Sequence, residues 1–564
     1  MTDHRVAQRG LSAPVSPQYN GATFETDVVI VGAGGAGLTT ALFSRWQGDE
    51  VAVLEKAPAV GGTAAKSGFG IWIPNNRYLR EQGIVDSRED YLRFVARVSR
   101  PERYEPDSPT FGLDAWEFEM VAAVYETASP ALDLLTEKAG VQFEVHRTLS
   151  PEYYGHLNES VVEWGRSLSP VGSAGLAGGG GRVIVDQLVD VALDAGIQIA
   201  TDRRVQRVIV RDGEVIGVEA TDSHNHLYRI HARKAVVFAS GGFSRNPALR
   251  SAFLPVPSFS GCAAPTNEGD FVRIAAHLGA ELRNMNSMWA CPVPLEKVLT
   301  SPDEVVGMFQ LPGDSMILVN KHGRRATNEK LPYNELAQAF YGWDPMAVEY
   351  PNLVLIQIWD ERSQRHSSGV KGGLIVGPGE DDAHVIVGES LEALTDEIAA
   401  RLERHAGATG GFRLGEDFLP NLIRTVSRFN DLAEKGQDDD FGRGSAAIQR
   451  ALNGPVREEQ GRTNPTMWPI SGQGPYYAAL VTAGSLDTKG GPRTNTEGQV
   501  LDDSGEPIPG LYGVGNCVAS ASGRGYWGAG ATLGPIIAFS YRAAQAAHRE
   551  RSRSAFEQSA GKVS

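Results

Sequence analysis

Apolar residues fall in short runs whose spacing changes along the chain. Asp27-Val-Val-Ile-Val-Gly is continuous and β-branched, the pattern of a strand buried on both faces. It breaks into Gly32-Ala-Gly34-Gly35-Ala-Gly37, and Leu38 to Trp46 then carries apolar residues at helical spacing. Val51-Ala-Val-Leu-Glu55 predicts a second strand ending in an acid, so a β-α-β unit is complete by residue 55. Further on, residues 182–195 predict an amphipathic helix. Val205–Val210, Val215–Ala220 and Tyr228–Ala232 predict a meander that turns at Asp212-Gly213, and Lys234 to Phe243 a buried strand that includes a glycine pair. From about 290 to 470 the pattern loosens into Pro-rich loops, with a strand within 351–359 and a helix over 390–405. A strand and tight turn return at Gly510–Asn516. A long helix follows from Leu533 to Glu550, opened by Gly530-Ala-Thr-Leu-Gly-Pro535.

Gly32, Gly34 and Gly37 form G-x-G-x-x-G between a strand and a helix, with Gly35 and Ala36 inside the motif. A helix N-terminus there offers unpaired N–H groups to a pyrophosphate. Glu55 ends the second strand about 20 residues on, where an acid meets ribose hydroxyls, and Lys56 follows it. Tight helix–strand packing alone would explain the glycines but not the placed acid. Gly61-Gly62-Thr63-Ala-Ala-Lys-Ser67-Gly68-Phe-Gly70 adds a second set of N–H groups and hydroxyls beside the same ligand. Ser240-Gly241-Gly242 and Gly515-Asn516 are further glycine-bearing strand ends, and Val205 starts the adjoining meander. Each group alone reads as an ordinary turn; together they suit an extended cofactor, which favours FAD over NAD. Thr532 and Leu533 open a helix whose N-terminus can stabilise negative charge on a reduced flavin.

The predicted fold class is α/β: a discontinuous Rossmann-like FAD-binding domain over 24–290 and 470–550, with an inserted α+β catalytic domain over 291–469. Residues 1–23 and 551–564 read as polar tails. Lys and Arg number 53 against 68 Asp and Glu, a net charge of −15, which excludes nucleic acid as a natural partner. No run approaches the roughly 18 apolar residues of a transmembrane segment. The N-terminus lacks a signal-peptide core, so a cytoplasmic protein is expected. Cys262, Cys291 and Cys517 are too far apart in sequence for a zinc site, and the 12 His show no ligand spacing, so no metal is expected. The 65 Gly in 564 residues fit backbone packed against a large ligand.

With Ser67-Gly-Phe-Gly-Ile-Trp-Ile-Pro74 the chain resembles the succinate dehydrogenase and fumarate reductase flavoprotein superfamily, and specifically its 3-ketosteroid Δ1-dehydrogenase branch. Pro151-Glu-Tyr153-Tyr154, Asn328-Glu-Lys-Leu-Pro-Tyr333, Thr488-Lys-Gly-Gly491 and Tyr526-Trp-Gly-Ala-Gly530 match that branch, and the similarity spans about residues 25 to 548. The histidine that fumarate reductases place just before Val481 is missing, as is the flavin-linking histidine of succinate dehydrogenases, so the FAD is expected to be non-covalent. The resemblance implies a small-molecule 3-ketosteroid substrate and an unidentified electron acceptor of the quinone kind.

The resemblance also assigns the chemistry. Tyr333 is the base for the C2 proton, flavin N5 receives hydride from C1, and Tyr526 with the Gly530 N–H polarises the C3 carbonyl. Tyr153 supports the base, a role that falls to Tyr154 if the local match slips by one. A free tyrosine has a pKa of about 10, so full ionisation at pH 7 takes roughly 4 kcal/mol. A supporting hydrogen bond from Tyr153 is expected to offset the effect of burial. Gly530 is expected to be glycine because a Cβ would crowd the substrate. Trp527 departs from the smaller residue expected there, and Trp72 and Trp289 read as core.

Two other functions fit these residues. One is a related ene-reductase or a ketosteroid dehydrogenase acting at another ring position such as C4–C5. The other is a flavin-binding protein without turnover.

Overall fold

The computed structural model describes residues 23–145, 151–172, 180–305, 307–370, 373–377, 382–454 and 462–553. Most of both polar tails lies outside them; Thr23 already belongs to the first strand. That strand, Thr23–Val31, is the centre of a mainly parallel sheet. Val51–Leu54 and Leu227–Phe238 flank it, Gln198–Ala200 and Pro507–Gly513 lie beyond them, and Gln499–Leu501 is an antiparallel edge. Val28 and Ile30 point into one core with the helices Gly35–Gln47 and Leu533–Arg549. Val29 and Val31 point into another, formed with the meander and the helix Asp270–His277. A strand covered on both faces in this way reads as an unbroken apolar run.

The first helix lies close to its strand, because a Cβ on Gly37 would collide with the Gly32 carbonyl. It packs on the C-terminal helix, where the Thr39 hydroxyl donates to Ser540 Oγ at 3.1 Å. These two helices bring the ends of the chain together into one nucleotide-binding unit. The meander forms as expected from Arg204–Arg211 and Glu214–Thr221, but its third strand does not stop near Ala232. Leu227–Phe238 is one strand, running from the meander into the parallel sheet. The two cations at the expected join are held by ion pairs: Arg233 meets Glu25, Asp27 and Glu50, and Lys234 meets Asp49.

A second sheet is antiparallel, ordered Met288–Pro294, Tyr476–Thr488, Val354–Asp360, Met316–Val319, with Ile386–Gly388 also on the long strand. Met288–Pro294 lies partly and Tyr476–Thr488 wholly beyond residues 291–469, so this sheet is built from both sides of the expected insert. Leu391–Arg404 and Phe418–Lys435 cover one face. The helices Arg88–Ser99 and Ala115–Ala139, on which the sequence reading was silent, pack beside the C-terminal helix and Trp72. Asp114 and Glu117 start the latter with a capping box. The strand Tyr476–Thr488 connects the two units, since Asp487 near its end accepts from the Gly242 N–H at 2.9 Å.

Candidate active site

A cleft enclosing about 1620 Å³ of empty space, open solvent included, runs from the glycine-rich turn to Tyr333 and Tyr526. It sits at the carboxyl ends of the parallel strands, where open α/β sheets bind ligands. Gly32, Gly34, Gly35, Ala36, Glu55, Lys56, Gly62, Thr63, Ser67, Gly68, Val205, Ser240, Gly241, Asn516, Thr532 and Leu533 all line it. Gly37 and Gly515 stand behind the wall. Gly37 serves helix packing, and Gly515, at φ +78°, would bring a Cβ within 2.9 Å of Ala36 Cβ.

Several groups in this wall fit a dinucleotide. The Ser240 hydroxyl is buried without a hydrogen-bond partner, a costly state that a polar ligand relieves. Glu55 is fixed by the Ala33 and Ala57 N–H groups at 2.8 and 2.9 Å, and burial pushes its carboxyl above the usual range. The Thr63 hydroxyl accepts from the Ala264 N–H at 2.9 Å. Ser67 Oγ turns inward, donating to the Ala64 carbonyl and accepting from the Phe69 N–H. Lys56 is held by Glu268 and Asp270 at 3.0 and 2.7 Å, which neutralises it. Asp487 is a hub that the sequence reading missed. It binds the Gly242 N–H, Ser244, Asn267 and Asn516, tying both distal glycine turns to one carboxylate.

At the other end three phenols from distant parts of the chain converge. Tyr333 opens the short helix Tyr333–Ala337 after Pro332, and its ring centre is 5.1 Å from that of Tyr526 at 68°. Tyr153 stacks on Tyr526 at 6.1 Å and stands edge-on to Tyr333 at 5.9 Å. Phe309 and Trp289 back Tyr333 and Tyr526 at 5.0 and 5.3 Å; neither was singled out from sequence as part of the site. Of the adjacent pair, Tyr153 faces the other phenols, whereas Tyr154 donates to Glu335 Oε1 at 2.7 Å. Trp527 points away from the cleft, packs on Trp72 at 5.6 Å and donates to Ser99 Oγ at 2.8 Å. It is core, as is Trp72.

Gly530 lines the cleft at φ +93°, and a Cβ there would lie 2.5 Å from the Ile71 backbone. Protein backbone, rather than substrate, is therefore the neighbour that a side chain would meet first. A second expectation also changes. Burial pushes Tyr333 well above an ordinary tyrosine, and Tyr153 and Tyr526 add to the rise instead of offsetting it. Tyr526 is also raised by burial, but the Tyr333 and Thr532 hydroxyls and the Gly530 N–H act against the rise.

A Rossmann-like cleft with a second sheet closing over it defines a dinucleotide-dependent oxidoreductase. The chain belongs to the FAD binding domain family, which matches residues 27–533. It is 32% identical to 4-oxocyclohexanecarboxylate 2-dehydrogenase of Sinomonas cyclohexanicum, over 92% of each chain. It is 31% identical to 3-oxosteroid 1-dehydrogenase of Mycobacterium tuberculosis, over 92% of this chain and 98% of the relative. Among solved structures, 3-ketosteroid Δ1-dehydrogenase from Sterolibacterium denitrificans in complex with 1,4-androstadiene-3,17-dione superposes with a TM-score of 0.76. The identity is 25%, covering 93% of this chain and 99% of that one. The protein is an FAD-dependent oxidoreductase acting on CH–CH donors, of the 3-ketosteroid dehydrogenase type within the succinate dehydrogenase and fumarate reductase superfamily. Among the described residues no helix is long and apolar enough to cross a membrane, and no group of three His, Cys, Asp or Glu could hold a metal.

Proposed function

We propose that the protein introduces a double bond next to a ring ketone, and that its substrate is a 3-ketosteroid oxidised at the 1,2 bond. The observation that carries this reading is that Tyr333, Tyr526, Gly530 and Thr532 line the same cleft as the glycine-rich turn. Bound FAD supplies the two-electron acceptor. The Tyr526 phenol and the Gly530 N–H hold the ketone oxygen, which makes the α-proton acidic and stabilises the enolate as it forms; losing one such donor typically costs about 2.7–4 kcal/mol of barrier. Tyr333 takes the C2 proton. Tyr153 packs edge-on to Tyr333 and limits how that ring can turn. Phe309, Trp289 and Tyr153 surround the reacting phenols with apolar surface and keep water away.

The test is anaerobic bleaching of the flavin by a panel of 3-ketosteroids, some with the 4-ene and some saturated in ring A, followed by product analysis. Loss of two hydrogens at C1–C2 is the expected result. A new bond at C4–C5 moves the reaction to the other ring position, and a flavin that no ring ketone bleaches refutes turnover on this substrate class.

One observation favours a second reading, a small cyclic ketone bearing a carboxylate. Lys66 lines the same cleft, with its ammonium donating to the Asp303 carbonyl at 2.8 Å, and gives a cation at the wall. Faster bleaching by 4-oxocyclohexanecarboxylate than by steroids would select it. Lys66→Met should then raise KM for the acid and leave KM for steroids unchanged.

A further inference from the structure

Thr488-Lys-Gly-Gly491 has no part in the chemistry above, yet Lys489 is wholly buried. Its ammonium donates to the Gly525 carbonyl at 2.5 Å and the Gly523 carbonyl at 3.1 Å. It also lies 4.0 Å above the Trp289 ring, within the range of a cation–π contact. Both connections lead to one side chain. Gly525 is bonded directly to Tyr526, and the Trp289 ring meets the Tyr526 ring edge-on at 5.3 Å. Trp289 is itself anchored by donating to Asn516 Oδ1 at 3.1 Å.

The segment that carries Tyr526 needs such a support. Between Cys517 and Leu533 the chain forms no regular helix or strand, so no backbone ladder fixes it. Lys489 stands one residue past the end of the long strand Tyr476–Thr488. Its main chain joins two loops: its N–H donates to the Ser287 carbonyl, and its carbonyl accepts from the Ser520 N–H, both at 2.9 Å. A buried ammonium with two carbonyl acceptors is therefore rooted in the sheet and reaches into the irregular segment. Side chains that aim a reacting group need this kind of support on a rigid element.

We propose that Lys489 is the positioning residue for Tyr526: it clamps the Gly523–Gly525 backbone and the Trp289 ring, and through them aims the phenol at the substrate oxygen. The proposal rests on the reading of Tyr526 as a carbonyl donor, so its test has an arm that needs no substrate. The FAD-loaded protein is labelled with 3-fluorotyrosine, and the Tyr526 fluorine resonance is assigned by its loss in Tyr526→Phe. In Lys489→Met this resonance is expected to shift or split. Turnover of a ring ketone should fall about 100-fold, the cost of a misplacement of about 1 Å, with KM nearly unchanged. Lys489→Gln, which keeps N–H donors for the carbonyls, should recover most of both. Should Lys489→Met take up no FAD, Lys489→Arg carries the test, because it keeps the charge and the donors but displaces them. A resonance and a kcat that both stay at wild-type values in the FAD-loaded variant overturn the proposal. If the wild-type protein turns over no ring ketone, the proposed function falls, and the fluorine resonance still decides the role of Lys489.

Discussion

The rings of Tyr333 and Tyr526 meet at 5.1 Å and 68°, although 193 positions separate them in the chain (526 − 333). Tyr333 comes from the second sheet's side and Tyr526 from the irregular segment before the C-terminal helix, so the cleft exists only when both units are assembled. Burial raises both phenols, Tyr333 well above an ordinary tyrosine.

The rise at Tyr333 predicts a pH profile. A base whose proton affinity is raised by burial is mostly protonated at neutral pH, and the active fraction grows as hydroxide rises. With chemistry rate-limiting, kcat is expected to climb about tenfold per pH unit between pH 7 and 9 without a plateau. Tyr333→Phe should retain its FAD and lose about 100-fold or more in kcat, the usual contribution of a positioned base. Single-turnover flavin reduction measures both. A level profile, or a Phe variant at full rate, removes Tyr333 from the role of base.

Adjacent tyrosines give a sharper contrast. Tyr153 packs against both Tyr333 and Tyr526, and its hydroxyl is buried beside the Tyr333 phenol. Tyr153→Phe removes a group that is costly to bury, so stability should hold or rise slightly while kcat drops. Tyr154→Phe instead leaves Glu335 without its 2.7 Å donor. It should lower stability by about 1 kcal/mol and leave kcat within a few-fold. Thermal melting and steady-state turnover on both variants check the pair; a larger kcat loss in Tyr154→Phe would exchange their roles.

The sequence disclosed the nucleotide half of the cleft because its chemistry is local. G-x-G-x-x-G and Glu55 lie within one β-α-β unit, and the second glycine run follows it directly. The long strand Leu227–Phe238 is not legible as one element, because its Arg233–Lys234 pair is accommodated by acidic partners about 180 positions or more away in the chain. Asp487 and Lys489 were also illegible as a hub and a clamp: each acts on carbonyls or N–H groups brought to it by folding alone. The phenols could be singled out only through the motifs around them. No periodicity marks a tyrosine that packs on two others.

The reason Gly530 is glycine can be separated from its conformation by comparing it with Gly48. Both have positive φ, +93° and +104°, but a Cβ on Gly48 meets nothing within 4 Å, whereas on Gly530 it meets the Ile71 backbone at 2.5 Å. Gly48→Ala should cost about 1–2 kcal/mol from the left-handed conformation alone. Gly530→Ala should cost clearly more and lower FAD occupancy as well, because Ile71 belongs to the strand beside the cleft. Denaturant melts and flavin-to-protein absorbance ratios distinguish the two; equal losses in both variants would show that Ile71 yields freely.

Glu152 gives a prediction about stability rather than rate. Its carboxyl is fully buried next to Tyr153, accepts from the Trp72 indole at 3.2 Å, and is raised by burial from 4.5 to about 7. A carboxyl raised in the folded state holds its proton there at pH values where the unfolded chain has released it. Stability linked to Glu152 is therefore fully present below about pH 4.5 and is lost as pH rises through about 7. Glu152→Gln, which keeps an acceptor for Trp72 but cannot ionise, should remove this loss. At pH 8 to 9 the variant should be more stable than wild type by up to about 3 kcal/mol, and the difference should shrink toward zero near pH 5. Parallel urea melts at pH 5, 7 and 9 measure it. A difference that is constant across the three pH values would mean that the carboxylate is already ionised at pH 5, held by Arg166 more strongly than burial opposes it.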